Sequence, residues 1–136
     1  MADVAVALRW SGTGLVFEGG APGGPAVRVD GQGAAGVSPM QALLLSLAGC
    51  TGADVVDILG RMRVPLAGLE VRVEGERAPS PPRRYTRVRL VYEVRGVAAA
   101  DEEKVRRAVA LSQEKYCSVL HTLRPDLELH TEIVLG

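Results

Sequence analysis

The strongest constraint on the fold is a long apolar segment in the middle of the chain. Ser38 and Pro39 mark its start, because a serine side chain can cap the free N–H groups of a helix and proline fits the first helical turn. The pattern that follows predicts a helix from about Pro39 to Arg63. At 1.5 Å per residue such a helix spans about 37 Å, whereas a compact chain of 136 residues has a radius of gyration of only about 14 Å.

The first half of this predicted helix is apolar on every side, so it must be buried all round. A single chain of this length can hardly enclose it. The sequence therefore predicts a homodimer in which the helix packs against its symmetry mate, with Gly49, Gly52 and Ala53 allowing the two backbones to approach closely. The most apolar part, Met40 to Cys50, is too short to span a membrane, so no membrane partner is expected.

Alternating apolar and polar residues predict strands on both sides of this helix. The expected order is β-β-β-α-β-β-α-β, an α+β fold that forms a single domain over residues 1–136. The second helix is expected to start at Asp101 and to break near Ser112. The predicted strands lie at about Val4–Trp10, Leu15–Glu18, Val27–Asp30, Leu69–Val73, Val88–Val94 and Leu127–Leu135.

The charge balance argues against a polyanionic partner. Sixteen basic and 16 acidic residues give a formal net charge of zero, so neither nucleic acid nor an anionic bilayer attracts the whole chain, and a small-molecule partner is expected. The first residues lack the basic and apolar regions of a signal peptide, which predicts a cytoplasmic location. In a reducing cytosol, two cysteines are more often free, metal-bound or redox-active than bridged.

Cys50 is the first candidate for chemistry, because its neighbours Gly49 and Gly52 leave space beside the sulfur. A thiolate there could attack a peroxide oxygen if a nearby cation lowered its pKa. Buried cysteines are also common as inert packing. The local sequence leaves both interpretations open.

Cys117 lies in or just after the second predicted helix. If the two helices cross, its sulfur can meet that of Cys50, and a sulfenic acid on one cysteine could condense with the other to form a disulfide. Zinc is a competing use, because Cys117 and His121 share a helix face and Cys50 could add a third ligand. The chain contains no CxxC or HExxH motif, so we expect no metal.

Two segments are familiar from one protein family. The run Ser38–Val56, with its SPMQALLLSLAGCTGADVV sequence, resembles the first cysteine helix of the OsmC/Ohr family, and Leu111–Val119 looks like the second cysteine segment of that family. The resemblance extends over essentially the whole chain. It implies an intertwined α+β homodimer, with two antiparallel sheets around two central cysteine-bearing helices.

The same resemblance implies a function and a site. The best-studied members of the family reduce organic hydroperoxides with two cysteines and draw electrons from small dithiols or protein-bound lipoyl groups. By this resemblance, Cys50 corresponds to the peroxidatic cysteine and Cys117 to the resolving cysteine. An external dithiol would be the reductant, and no cofactor is expected.

The sequence departs from the family pattern at the groups that activate the first cysteine. Met40 stands where active members carry a glutamate, and no arginine follows the Trp10 turn before Val27. Gln41, Arg9 and Arg28 are the residues that could substitute. The chain therefore looks more like a less characterised branch of the family.

The leading hypothesis from the sequence is a metal-free thiol peroxidase for organic hydroperoxides. An apolar pocket lined by Leu44, Leu47 and Val119 near the dimer interface would hold the alkyl tail. The alternative is a dimer that binds a small molecule or an acyl ligand and turns over slowly or not at all. A regulatory disulfide switch is a third possibility.

Overall fold

The computed structural model describes residues 2–136. It contains two compact units, one ending at Leu43 and the other spanning Leu44–Gly136. In chain order the elements are β1 Ala7–Trp10, β2 Val16–Gly20, β3 Val27–Asp30, α1 Pro39–Arg61, β4 Gly68–Arg77, β5 Tyr85–Arg95, α2 Glu102–Leu111, a π-helical turn Ser112–Tyr116, α3 Ser118–Thr122 and β6 Glu128–Leu135. The α+β class and the order of strands and major helices predicted from the sequence are confirmed.

The first unit is built on an antiparallel sheet in the order β1-β2-β3. Trp10 pairs with Phe17, and Phe17 pairs with Val29, so these apolar residues share one face of the sheet. Arg9 and Arg28 flank Glu18 on the other face. The apolar face is only partly covered within a single chain, since the side chain of Trp10 is 59% exposed.

A buried carboxylate organises the loop after β3. Asp30 is 2% exposed, and its two oxygens accept hydrogen bonds from the backbone N–H groups of Gln32, Ala34 and Ala35 at 2.8–3.1 Å. The hydrogen bond from Ala35, together with those from Gln32 and Ala34, lowers the pKa of Asp30. The ionised side chain of Asp30 therefore stabilises the turn that precedes α1.

The start of α1 is a capping box, as its sequence indicates. The backbone N–H of Gln41 donates to Ser38 Oγ at 3.1 Å, and Gln41 Oε1 accepts from the N–H of Ser38 at 2.9 Å. The helix ends at Arg61, two residues before the predicted end, because Arg63 adopts a left-handed backbone conformation with φ of 59°.

Only one face of α1 is buried in the single chain. Leu47, Thr51, Val55 and Leu59 recur every four residues and are the buried residues of the helix. Leu45 is 57% exposed, so burial all round would require a partner. The helix α1 is long and apolar enough to cross a membrane, by length and composition alone. Core helices of soluble proteins meet the same two criteria.

The sheet of the second unit corrects one prediction. Its order is β4-β5-β6; β5 is antiparallel to β4, as predicted, but parallel to β6. The sheet is therefore mixed, not antiparallel. The segment between β5 and β6 contains the remaining helices and is long enough for the crossover that a parallel neighbour requires.

The segment that carries Cys117 is not a continuous helix. The helix α2 stops at Leu111, the wider π-helical turn follows, and the N–H of Cys117 bonds to the carbonyl of Ser112 at 2.7 Å. Cys117 itself is extended, with φ of −73° and ψ of 97°. The predicted break near Ser112 is confirmed, but Cys117 lies in the gap between two helices and not on a helix.

Candidate functional site

The structure brings the two cysteines together in the second unit. Both are free thiols. Cys50 lies halfway along α1 and is half-buried, whereas Cys117 is completely buried in the core. The two sulfur atoms and a carboxylate oxygen of Asp54 all lie within 4.8 Å of one another.

The surroundings of Cys117 keep its thiol protonated. Burial is the largest effect and raises its pKa, while the backbone N–H of Leu120 acts in the opposite direction. The adjacent Cys50 thiol and the charge of Asp54 raise it further, to about 11. At neutral pH, therefore, Cys117 carries its proton.

Asp54 is a member of the site that the sequence analysis missed. It follows Cys50 by one helical turn, so both side chains lie on the same face of α1. The hydroxyl of Ser112 donates a hydrogen bond to Asp54 Oδ2 at 2.9 Å. Among the described residues, Oδ1 of Asp54 accepts no hydrogen bond. The i, i+4 spacing was the available signal.

A chain of buried hydroxyl groups leads to this carboxylate. Thr51 Oγ1 lies 2.7 Å from both Ser112 Oγ and the hydroxyl of Tyr92, and Gln113 Nε2 donates to that tyrosine at 3.2 Å. Each hydroxyl has a single proton. Because Ser112 donates to Asp54, Thr51 must donate to Ser112, and Tyr92 must donate to Thr51.

These hydrogen bonds orient the carboxylate of Asp54. The hydroxyl groups of Tyr92, Thr51 and Ser112 each donate in the direction of Asp54, and successive hydrogen bonds of this kind polarise one another. Burial raises the pKa of Tyr92, so its phenol remains a donor. Among the described groups that act on the pKa of Cys117, none is a basic side chain. The two thiols thus face a negative charge.

The three predicted supporting residues lie in the first unit, whereas both cysteines lie in the second. The side chain of Gln41 forms the capping box with Ser38. Arg28 forms an ion pair with Glu18 at 2.7 Å, and Arg9 is opposite the same glutamate in the sheet. Their support of Cys50 stays a prediction.

The residues predicted to bind substrate differ in their surroundings. Leu47 is 1% exposed and belongs to the core. Leu44 and Val119 are half-buried and pack against that core. An open cavity of about 420 Å³ instead lies beside Asp54 and is lined by Asp54, Asp57, Ile58, Arg61, Met62, Leu111 and Tyr116.

The structure also changes the set of potential metal ligands. His121 Nε2 donates to the carbonyl oxygen of Gln113 at 3.0 Å, and this histidine is not part of the cysteine cluster. Asp54 takes its place beside Cys50 and Cys117. The zinc ligand set considered from the sequence therefore differs from this cluster at His121.

Comparison with known proteins places this site in a family. The chain is 40% identical over 113 residues to Protein YhfA of Escherichia coli K12, covering 82% of this chain and 83% of that protein. A hypothetical protein from Aquifex aeolicus VF5 has a similar structure, with a TM-score of 0.87, 29% identity and coverage of 100% of this chain and 98% of that chain.

A more distant structure is the organic hydroperoxide resistance protein OhrB of Bacillus subtilis. Its TM-score is 0.61 at 15% identity, with 99% of this chain and 98% of that chain covered, a likeness of fold. The family described as OsmC-like protein matches residues 31–132. With most of its length matched and its two cysteines paired in one site, the chain belongs to the family of OsmC-like proteins.

Proposed function

We propose that this protein reduces organic hydroperoxides through a thiol–disulfide cycle, in the cytoplasm and as a homodimer. The observation that carries the proposal is the pairing of a half-exposed thiol, Cys50, with a buried thiol, Cys117, within 4.8 Å. The hydroperoxide resistance proteins among the structural neighbours support the same reaction class.

In the first step, the Cys50 thiolate attacks the terminal oxygen of the hydroperoxide and the O–O bond breaks. Cys50 becomes a sulfenic acid, and the alkoxide leaves as an alcohol after taking up a proton from solvent. Cys50 has this role because it is the more accessible of the two sulfurs.

In the second step, the Cys117 sulfur attacks the sulfenic sulfur of Cys50. A disulfide forms, and the hydroxyl group leaves as water with the proton that Cys117 carried. A resolving thiol that is protonated at neutral pH brings the proton that this leaving group needs. A dithiol reductant of the lipoyl type then reduces the disulfide to two thiols and is itself oxidised to a disulfide.

The cavity beside Asp54 suits the organic part of the substrate. Its volume of about 420 Å³ falls within the range of small-molecule sites, roughly 300–1,000 Å³. Ile58, Met62 and Leu111 supply apolar walls, which favour an alkyl or aryl tail over hydrogen peroxide.

Dimerisation is supported by an open groove along α1. This groove of about 730 Å³ is lined by Leu45, Ala48, Gly49, Gly52, Ala53, Val56, Asp57, Leu69 and Val71. A Cβ atom placed on Gly49 would meet no atom within 4 Å. A second helix could therefore approach the backbone of α1 closely and cover Leu45 and Val56, which are 57% and 51% exposed.

The experiment is peroxide turnover by matched variants. With a dithiol reductant in excess, the wild type should consume cumene hydroperoxide, and Cys50→Ser should abolish consumption while the fold and the dimer persist. Ser118→Ala, at an exposed position next to Cys117, serves as the control and should retain activity. Turnover that survives in Cys50→Ser would exclude this mechanism.

A second candidate is a small-molecule or acyl-ligand binding dimer with little turnover. The position of Asp54 beside the sulfurs favours it, because burial and the charge of Asp54 raise the pKa of Cys117 and oppose formation of its thiolate. This function predicts that an apolar ligand binds the reduced protein with the same affinity in the wild type and in Cys50→Ser, and that neither consumes peroxide.

A further inference from the structure

We propose that Cys50, Asp54 and Cys117 form a binding site for Zn²⁺. The proposal concerns the reduced protein and does not depend on peroxidase activity. It rests on the mutual position of three potential ligand atoms, on the hydrogen bond that orients the carboxylate of Asp54 and on the open cavity beside that residue.

The geometry is close to that of a zinc site with three protein ligands. Zinc binds thiolate sulfur at about 2.3 Å and carboxylate oxygen at about 2.0–2.2 Å, usually in tetrahedral geometry. In this geometry a sulfur–oxygen pair lies about 3.5–3.7 Å apart and a sulfur–sulfur pair about 3.8 Å apart. The three atoms here all lie within 4.8 Å of one another, so each pair needs to close by about 1.3 Å or less.

The backbone sets the positions of the three ligand residues. Cys50 and Asp54 are one turn apart on α1, which fixes their spacing. Cys117 lies between the π-helical turn and α3, where its N–H donates to the carbonyl of Ser112 at 2.7 Å and its carbonyl accepts from the N–H of His121 at 3.1 Å.

Asp54 is prepared as an anionic ligand. Ser112 donates to Oδ2, in the manner of the outer partners that orient metal-binding carboxylates, and no residue in the described range 2–136 donates to Oδ1. The hydroxyl chain through Thr51 and Tyr92 directs its protons towards this carboxylate.

The donor set selects zinc over the hard divalent cations. Two sulfur atoms and one oxygen suit Zn²⁺, whereas Mg²⁺ and Ca²⁺ prefer shells of oxygen. Binding converts Zn²⁺ and two thiols into a zinc dithiolate and releases two protons to solvent. The fourth position would hold water, which can enter from the cavity beside Asp54.

The test is zinc binding to the reduced wild-type protein in the absence of peroxide. Dialysis against buffered Zn²⁺ followed by metal analysis should give one ion per chain. Co²⁺ used as a spectroscopic probe should show the charge-transfer absorption of cobalt–thiolate bonds. Cys50→Ser and Cys117→Ser should each remove that absorption, and Asp54→Asn should weaken zinc binding by at least about tenfold.

The matched control is Asp57→Asn, which changes an exposed aspartate on the same helix and the same cavity wall, paired with Arg61 at 3.1 Å. It should bind zinc like the wild type. Because Cys117 is buried, Cys117→Ala provides a second variant if the serine variant does not fold. Stoichiometric zinc binding that persists in the cysteine variants, or no binding by the folded wild type, would overturn the proposal.

Zinc binding and hydroperoxide consumption are tested independently of each other. A protein that binds zinc through the three residues but fails to consume hydroperoxide supports the metal site and rejects the peroxidase. A protein that consumes hydroperoxide but binds no zinc does the reverse.

Discussion

The hydroxyl of Tyr92, on the central strand of the second sheet, lies 2.7 Å from Oγ1 of Thr51 on the helix that carries Cys50. Tyr92 is fully buried. Its phenol donates to Thr51, which donates to Ser112, and Ser112 donates in turn to Asp54. This polar contact thus joins the central strand of the second sheet to the helix that carries Cys50.

Removing that hydroxyl should destabilise the protein. Tyr92→Phe leaves Thr51 without its buried donor, which costs about 1–3 kcal/mol in the free energy of unfolding. Denaturant unfolding of the reduced protein measures the loss. Tyr116→Phe, at a position 49% exposed, should change stability by less than about 0.5 kcal/mol; equal losses in the two variants would refute the role of the contact.

A charge placed in the α1 groove should break the homodimer. Leu45→Glu puts a carboxylate on the apolar surface that the partner helix is expected to cover, so burial of that charge opposes association. Sedimentation should detect a dimer for the wild type and a monomer for the variant. Ala110→Glu, on the exposed side of α2, should remain dimeric, and a monomeric wild type would contradict the prediction.

Asp30 should make the stability of the first unit dependent on acidic pH. Its folded-state pKa is held below the usual 3.8 by hydrogen bonds from Ala35, Gln32 and Ala34, so its contribution is present above pH 3.8 and is lost as the pH falls through the folded pKa. The stability difference between wild type and Asp30→Asn should therefore shrink below pH 3.8. Asp3→Asn, near the exposed start of the chain, is the control; a pH-independent difference for Asp30→Asn would contradict this account.

Zinc should protect the thiols from oxidation if both proposals hold. A zinc-bound thiolate has its reactive electron pair engaged, so one equivalent of Zn²⁺ should slow the loss of free thiols after hydroperoxide is added. Chelation with EDTA should restore the rate, and Asp54→Asn should be less sensitive to zinc than the wild type. Thiol titration follows the reaction, and identical rates with and without zinc would argue against competition at these sulfurs.

Local chemistry made much of the fold predictable. The start of α1 follows from Ser38, Pro39 and Gln41, whose capping interactions form within a single turn. The strands follow from the alternation of apolar and polar residues, which is also a local pattern of the sequence. The direction of β6 could not be predicted in this way, because a strand with the same alternation can run parallel or antiparallel to β5, and the crossover decides which.

The site was predictable only in part. The family resemblance drew attention to Cys50 and Cys117, but Asp54 acquires its role from Ser112, which is 58 positions away in the chain. The periodic pattern of apolar residues along the sequence does not indicate a contact between residues so far apart. Leu47 was predicted to line a substrate pocket but lies in the core, because its apolar neighbours on α1 do not reveal which face of the helix meets the core.

The measurement that tests the central claim most directly is mass spectrometry of the reduced protein after one equivalent of cumene hydroperoxide. The wild type should contain a Cys50–Cys117 disulfide, and Cys117→Ser should retain a sulfenic acid on Cys50 that a dimedone-type reagent traps. Two unmodified thiols in the wild type after prolonged exposure would contradict the account.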